Sequence, residues 1–587
     1  MTRAGRRAGR AATTTTVRRA TLLAAILFIA PVVVAKPALG AGPRARTADK
    51  PNIVVILTDD LDASTSADPA RFPVLQDLMA GQGLTFSNFF VNESLCCPSR
   101  ASILRGQYVH NHGVLGNGGD TGGYARFREL GEESSTVATW LHARGYRTSL
   151  FGKYLNGYPQ TVAPTHVPRG WDEWDSPSGG NPYGEYRYEL NENGRLVQYG
   201  TQPGDYLVDV LAKKAVDFIH ENATSKQPLF MYVAPYVPHQ PATPAPRYAT
   251  AFPGVRAARP PSFDRVDGAT EPSWLRQRPP LAPVIVRYID DLYRRRLQDM
   301  LGVEDLLRGV VDALRSTGRL GDTYVLFTSD NGFHLGQHRL PPGKQTAYDE
   351  DIRVPLIVRG PGIPAGSTTA RLAMNVDLAP TIAALAGARV PAFVDGRSLV
   401  PILHSPTAHR RWRTAAFVEH YGNARARARR TPAGTAPPAT TTTQPATAFR
   451  PDAPVAPDNP DDDAGYNQQG VQGSRTTPRP PDNALNPYGI AIPSYQAVRT
   501  ARYLYVEYPT GERQLFDVVN DPYEVHDLIG SAPRSLVRRL AHRLAELAIC
   551  KGAGCRRADG GPPDHASGAG SSPSPPGDGS ASGPARS

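Results

Sequence analysis

Hydrophobic positions along the chain fall into two arrangements, short unbroken apolar runs and longer stretches where apolar residues return every three or four positions. Residues 51–58, 146–151, 228–234 and Thr323–Ser329 are of the first kind. An apolar run without polar alternation predicts a strand buried on both faces. Residues 135–144, 205–222, 284–316 and about 533–549 have helical spacing. In the longest of these Ile289, Leu292, Leu297, Met300, Leu301, Leu306 and Val310 mark the buried stripe. A further strand, near Val354–Val358, completes the main set, and short strands are expected over 495–508. Residues 157–205, rich in Gly, Pro, Tyr and Asn, read as long surface loops.

The polar residues that close the apolar runs carry the chemistry. The first run ends in Asp59-Asp60-Leu61-Asp62, the second leads into Gly152-Lys153, the third into Pro238-His239 and the fourth into Asp330-Asn331-Gly332. Carboxylates at the end of a buried strand are costly unless a cation compensates them, and that edge of an open α/β sheet is where ligands bind. Each has a plainer explanation: a solvated turn, a solvated lysine or a structural loop histidine. A fifth segment, Cys96-Cys97-Pro98-Ser99-Arg100, reads as a loop entering a helix. Pro98 falls in the first turn, where a missing N–H costs nothing. Cys96 is then expected just outside the helix, near N–H groups that favour an anion. A buried or disulfide-bonded cysteine pair is the alternative. His110 and His112 follow as candidate bases or as loop-capping groups.

Length and charge narrow the class. The 587 residues suffice for one large α/β domain and a smaller one. The net charge of +11 is uneven, because residues 1–41 contain seven Arg and Lys and no acids; removing those seven leaves +4. The basic balance is therefore no nucleic-acid footprint. The same 41 residues read as an export signal, with an arginine-rich start, an apolar run and small residues for cleavage. Arg18-Arg19 makes a weak twin-arginine candidate. No other run approaches the roughly 20 apolar residues of a membrane span, so no stable span is expected once the signal is removed. Cys550 and Cys555 have the spacing of a small disulfide loop in an oxidising compartment, and the four cysteines lack the paired spacing of a zinc site. Residues 424–486 are low in hydrophobicity and aperiodic and read as a disordered insertion, as does the Gly/Pro/Ser tail 557–587.

Taken together, Cys96-x-Pro98-Ser99-Arg100 and its continuation to Gly106-Gln107 resemble the sulfatase signature. The wording from Leu95 to Val114 is most similar to the N-acetylglucosamine-6-sulfatase and arylsulfatase branch. One departure is Arg105-Gly106, where the family usually has Thr-Gly; another is Leu155, where many members have histidine. The resemblance covers roughly 50–420 and 487–556, as a catalytic domain and a C-terminal subdomain. It implies an α/β, alkaline-phosphatase-like sandwich with a large mixed sheet flanked by helices and a small antiparallel sheet. It also implies that Cys96 is converted to formylglycine by a formylglycine-generating enzyme. Asp59, Asp60, Asp330 and Asn331, with converted Cys96, would hold one calcium ion, magnesium being the lesser alternative. Lys153, Lys344 and His239 would contact sulfate, and Arg100 would steady the nucleophile.

The expected activity is that of an exported sulfuric ester hydrolase acting on a sulfated carbohydrate or a small sulfate ester. Two competing readings are a phosphonate or phosphate monoester hydrolase sharing the same device, and a silent sulfated-glycan-binding protein with an unmodified cysteine.

Overall fold

The structure is a computed structural model that describes residues 50–268, 270–407, 411–422 and 492–560. The expected signal, the 424–486 insertion and residues 561–587 lie outside the described residues.

Five parallel strands form the centre of a ten-stranded sheet, in the spatial order Thr323–Ser329, Asn52–Thr58, Leu229–Ala234, Arg147–Gly152 and Glu173–Gly180. Leu356–Arg359, Leu84–Phe86 and Ser367–Thr369 extend one edge, and the antiparallel Tyr188–Glu192 and Arg195–Gln198 extend the other. The central strand shows why its apolar run is unbroken. Val54 and Ile56 pack with Leu297, Met300 and Leu306 of the long helix Pro283–Ser316 and with helix Leu207–Glu221. Ile53, Val55 and Leu57 face the other layer, which holds Ala101, Ile103 and Leu104 of helix Cys96–Arg105. Side chains alternate across a strand, so a strand between two helical layers must be apolar at every position. A second, four-stranded antiparallel sheet comprises Ala415–His420, Tyr495–Thr500, Tyr503–Glu507 and Arg513–Asp517, and helix Arg534–Ala548 packs against it. The expected large mixed sheet and small antiparallel sheet are both present.

Three local expectations are corrected. Residues 157–205 are not simply loops: three of their segments are sheet strands. Pro177 and a register shift between Pro177 and Gly179 break the alternation by which Glu173–Gly180 would be recognised. Cys96 lies inside its helix as the first residue, Leu95 being the extended N-cap, while Pro98 is in the first turn as expected. The ordered body also continues past residue 556. Helix Ala553–Ala558 leads to buried Asp559, which accepts a 2.7 Å hydrogen bond from Arg413 Nε.

Parallel register aligns the ends of the central strands. Thr58 pairs with Ser329 and Gly152 with Ala234, so the segments that follow all emerge at one edge. Gly152 is required there. Its φ is +110°, and a Cβ would lie 2.1 Å from the Ala234 carbonyl oxygen. That close approach sets the position of Lys153.

Candidate active site

The strand ends bring the predicted residues together around Cys96. Its Sγ lies 3.3 Å from Asp59 Oδ1, 3.9 Å from Asp60 Oδ1 and 2.8 Å from Lys344 Nζ. Lys344 also donates to Asp60 Oδ1 at 2.7 Å, and Lys153 Nζ donates to Asp59 Oδ2 at 2.6 Å. Arg100, one turn along the cysteine helix, donates from Nε to Asp330 Oδ2 at 2.7 Å and from Nη1 to the Lys153 carbonyl at 3.0 Å. Asn331 Nδ2 donates to Asp60 Oδ1 at 2.6 Å. His239 turns Nε2 towards Asp60 Oδ2, 3.6 Å away. Asp59, Asp60, Cys96, Arg100, Lys153, His239, Asp330, Asn331 and Lys344 all lie in this cluster, whereas the candidate bases His110 and His112 do not. Nor does Asp62, which caps a short helix by accepting from Thr65 N and Oγ1.

Charge in this buried space is balanced by contact. Burial opposes ionisation of Asp59, but Lys153, His239 and Arg100 outweigh it and hold the carboxyl below its usual range. Asp60 is lowered in the same way, with Lys344 and His239 outweighing burial. Burial and the Asp59 charge push the Cys96 thiol well above its ordinary value, so the encoded side chain is held as a thiol. His239 Nδ1 sits 2.5 Å from the Gln240 carbonyl, which can only accept. That assigns a hydrogen to Nδ1 and leaves Nε2 as the atom facing the cluster.

The donor set fits a hard cation. Asp60 Oδ2 and Asn331 Oδ1 are buried and accept no hydrogen bond, an arrangement that is costly unless something positive satisfies them. Asp59, Asp60 and Asp330 contribute carboxylate oxygens and Asn331 an amide oxygen, the ligand types that calcium takes. Asp59, Asp60, Cys96 and His239 also have ligand atoms within 4.8 Å of one another.

Several supporting residues were not anticipated from sequence. Arg296 of the long helix is fully buried and donates to the carbonyls of Pro238 (2.8 Å) and Asp60 (2.5 Å). It thereby holds two of the strand-end loops in place. Its signal was an arginine at the spacing of the apolar stripe, between Leu292 and Met300. Asn117 Oδ1 accepts from Cys97 N, and Asn375 Nδ2 donates to Ser99 Oγ. The Tyr183 and Tyr236 rings lie 5.0 and 5.7 Å from Lys153 Nζ. His110 and His112 are tied elsewhere: His110 contacts Glu419 and the Cys550 carbonyl, and His112 Nε2 contacts Ser102 Oγ. Cys96 and Cys97 are not bonded to each other, whereas Cys550 and Cys555 form a disulfide.

Buried Cys96, two lysines, an arginine and a cluster of carboxylate and amide oxygens thus meet at one edge of a mixed sheet, an arrangement suited to an anionic ester. A family profile described as Sulfatase matches residues 51–388. Human N-acetylglucosamine-6-sulfatase is 39% identical over 382 residues, covering 64% of this chain and 68% of that protein. An arylsulfatase of Chlamydomonas reinhardtii is 30% identical over 535 residues, 86% of this chain and 75% of the relative. Among solved structures, one in complex with its substrate D-glucosamine-2-N,6-O-disulfate superposes with a TM-score of 0.64 at 22% identity, over 88% of this chain and 100% of that chain. The chain belongs to the sulfatase family, the sulfuric ester hydrolases, and its fold is the alkaline-phosphatase-like sandwich. Within the family it groups with the N-acetylglucosamine-6-sulfatases and arylsulfatases.

Proposed function

We propose that this protein is an exported hydrolase of sulfated sugars, with a 6-O-sulfated N-acetylglucosamine residue as its substrate class, and that it works through formylglycine at position 96 and one calcium ion. The observation that carries the reading is the convergence of five distant segments on Cys96, with Lys344 Nζ 2.8 Å from its sulfur. Similarity to N-acetylglucosamine-6-sulfatase supports the sugar.

A cysteine thiol is ill suited to the reaction, because attack on sulfur would leave a thiosulfate without an easy exit. A hydrated aldehyde would supply one hydroxyl to attack sulfur and a second whose deprotonation releases sulfate. Calcium would supply charge that polarises a sulfate oxygen and favours the ionised nucleophile; Asp59, Asp60, Asp330 and Asn331 would hold it. Lys153 and Lys344 bind the remaining sulfate oxygens as fixed ammonium groups. Arg100 orients the nucleophile, with its Nη2 buried and free of hydrogen bonds. His239, as the imidazolium with a hydrogen on each ring nitrogen, delivers the Nε2 proton to the departing sugar oxygen as the S–O bond breaks and becomes the neutral tautomer that keeps Nδ1–H on the Gln240 carbonyl.

The decisive experiment is intact-peptide mass spectrometry of the segment containing Cys96, on protein from its native host, paired with turnover of aryl sulfate and aryl phosphate. Aldehyde in place of thiol with dominant sulfate turnover is expected. An unmodified thiol in matured protein, or dominant phosphate turnover, overturns the reading.

A further inference from the structure

A second cluster of ligand-type side chains lies where the C-terminal subdomain meets the catalytic body. His338 comes from the loop after Thr323–Ser329, Glu350 from the short helix Asp349–Ile352 and Glu524 from the turn after Arg513–Asp517. One imidazole nitrogen and one oxygen from each carboxylate lie within 4.8 Å of one another. His338 is 2% exposed and Glu524 1% exposed. His338 Nε2 and Glu524 Oε1 are both buried without a hydrogen-bond partner. The other oxygen of Glu524 is engaged, accepting from Asp349 N at 2.9 Å. The His338 ring is fixed by stacking on Tyr348 at 3.8 Å.

Among the described residues, the cations around this cluster are seated on other carboxylates. Arg499 binds Asp349 through both Nε and Nη2, and Arg353 also faces Asp349. His334 is engaged with Asp351. Two carboxyl groups and an imidazole therefore converge with only the more distant charge of Arg499, seated on Asp349, acting on Glu524, and ionisation there is costly in a buried place. One nitrogen and two carboxylate oxygens suit a borderline divalent ion of the zinc class. Tetrahedral bonds of about 2.0–2.2 Å would place the ligand atoms roughly 3.3–3.6 Å apart, so the side chains would have to close by up to about 1.5 Å.

We propose that His338, Glu350 and Glu524 form a second divalent-cation site, selective for zinc-class ions, which clamps the C-terminal subdomain to the loop that follows Asn331. The clamp would act on that loop directly. Phe333 N donates to the Glu350 carbonyl and Gly332 N to the Asp351 carbonyl, immediately after Asn331. The proposal is independent of the catalytic reading, and either can fail alone.

The test uses full-length protein, stripped with chelator and held in saturating calcium so that the oxygen-rich site is filled. Zinc is then added, and bound metal is measured by elemental analysis alongside thermal unfolding. The wild type should retain about one zinc more than either His338→Gln or Glu350→Gln, and zinc should raise its unfolding temperature but not theirs. Glu350 is only half-buried, so its variant keeps the test usable if the His338 variant folds poorly. X-ray absorption at the zinc edge should show one imidazole with oxygen ligands and no sulfur. Equal zinc retention in wild type and variants, no retention at all, or sulfur in the coordination shell overturns the proposal.

Discussion

His239 is the residue whose geometry makes the sharpest claim about the reaction. Its Nδ1 is committed to the Gln240 carbonyl and its Nε2 faces the cluster, so the imidazolium form has its second proton on Nε2, where it can pass to a leaving oxygen. A general acid matters most when the leaving group is a poor one. His239→Asn is therefore expected to lower kcat on a sugar sulfate by about 10²–10⁴-fold, and to cost far less on nitrophenyl sulfate, whose phenolate leaves without help. Steady-state kinetics on the two substrates check this; equal losses would assign His239 to sulfate binding instead. The residues legible in the sequence are those, like this one, that directly follow a recognisable strand. Asp59, Asp60, Lys153, His239, Asp330 and Asn331 each announce themselves by ending an apolar run. Arg296 does not, because its two acceptors lie 58 and 236 positions away, and only the fold reveals that they share one guanidinium.

At the scale of the element, the strand Arg147–Gly152 shows how tightly backbone placement governs the site. Gly152 holds a left-handed conformation against the Ala234 carbonyl, and Lys153 N then donates to that same carbonyl at 2.8 Å. Gly152→Ala must both strain φ and separate two paired strands. It is expected to destabilise the protein by on the order of 2–4 kcal/mol and to weaken sulfate binding by moving Lys153, measured by denaturant unfolding and by KM. Unchanged stability would show that the strands can part without cost. The central strands were readable because double burial demands apolar residues at every position. The three strands within 157–205 were not, because Glu173–Gly180 contains Pro177 and glycines and passes through a register shift, while Tyr188–Glu192 and Arg195–Gln198 only extend the sheet's outer side. Their composition is that of loops, and long-range pairing makes them strands.

At the scale of the whole molecule, one histidine joins three parts of the chain. His110 sits in the turn Val109–His112, pairs with Glu419 of the small sheet at 3.0 Å and reaches the Cys550 carbonyl with Nε2. Burial works against its charge, yet Glu419 more than compensates and raises it to about 9. The folded protein thus keeps a proton that the unfolded chain releases near pH 6.5. This contribution, at most about 3 kcal/mol, is complete below pH 6.5 and lost as pH rises through about 9. Subtracting the stability of His110→Gln from that of wild type across pH 6–10 should reveal that slope; a flat difference would refute it. The same small sheet bears on residues 424–486, which the sequence leads one to expect as an insertion. Ala415–His420 and Tyr495–Thr500 are antiparallel neighbours, and His420 pairs directly with Tyr495, so the described residues on either side of 423–491 stand side by side. Ser494 Oγ donates to the Gly422 carbonyl across that gap. Two paired strands need only a short turn, and loop length alters closure entropy slowly. Replacing residues 423–491 with a short glycine-containing turn should therefore leave the unfolding temperature and the turnover of a small aryl sulfate nearly unchanged. If turnover on a sulfated polymer falls while aryl sulfate turnover persists, the insertion engages the polymer; if both fall together, it supports the catalytic body itself.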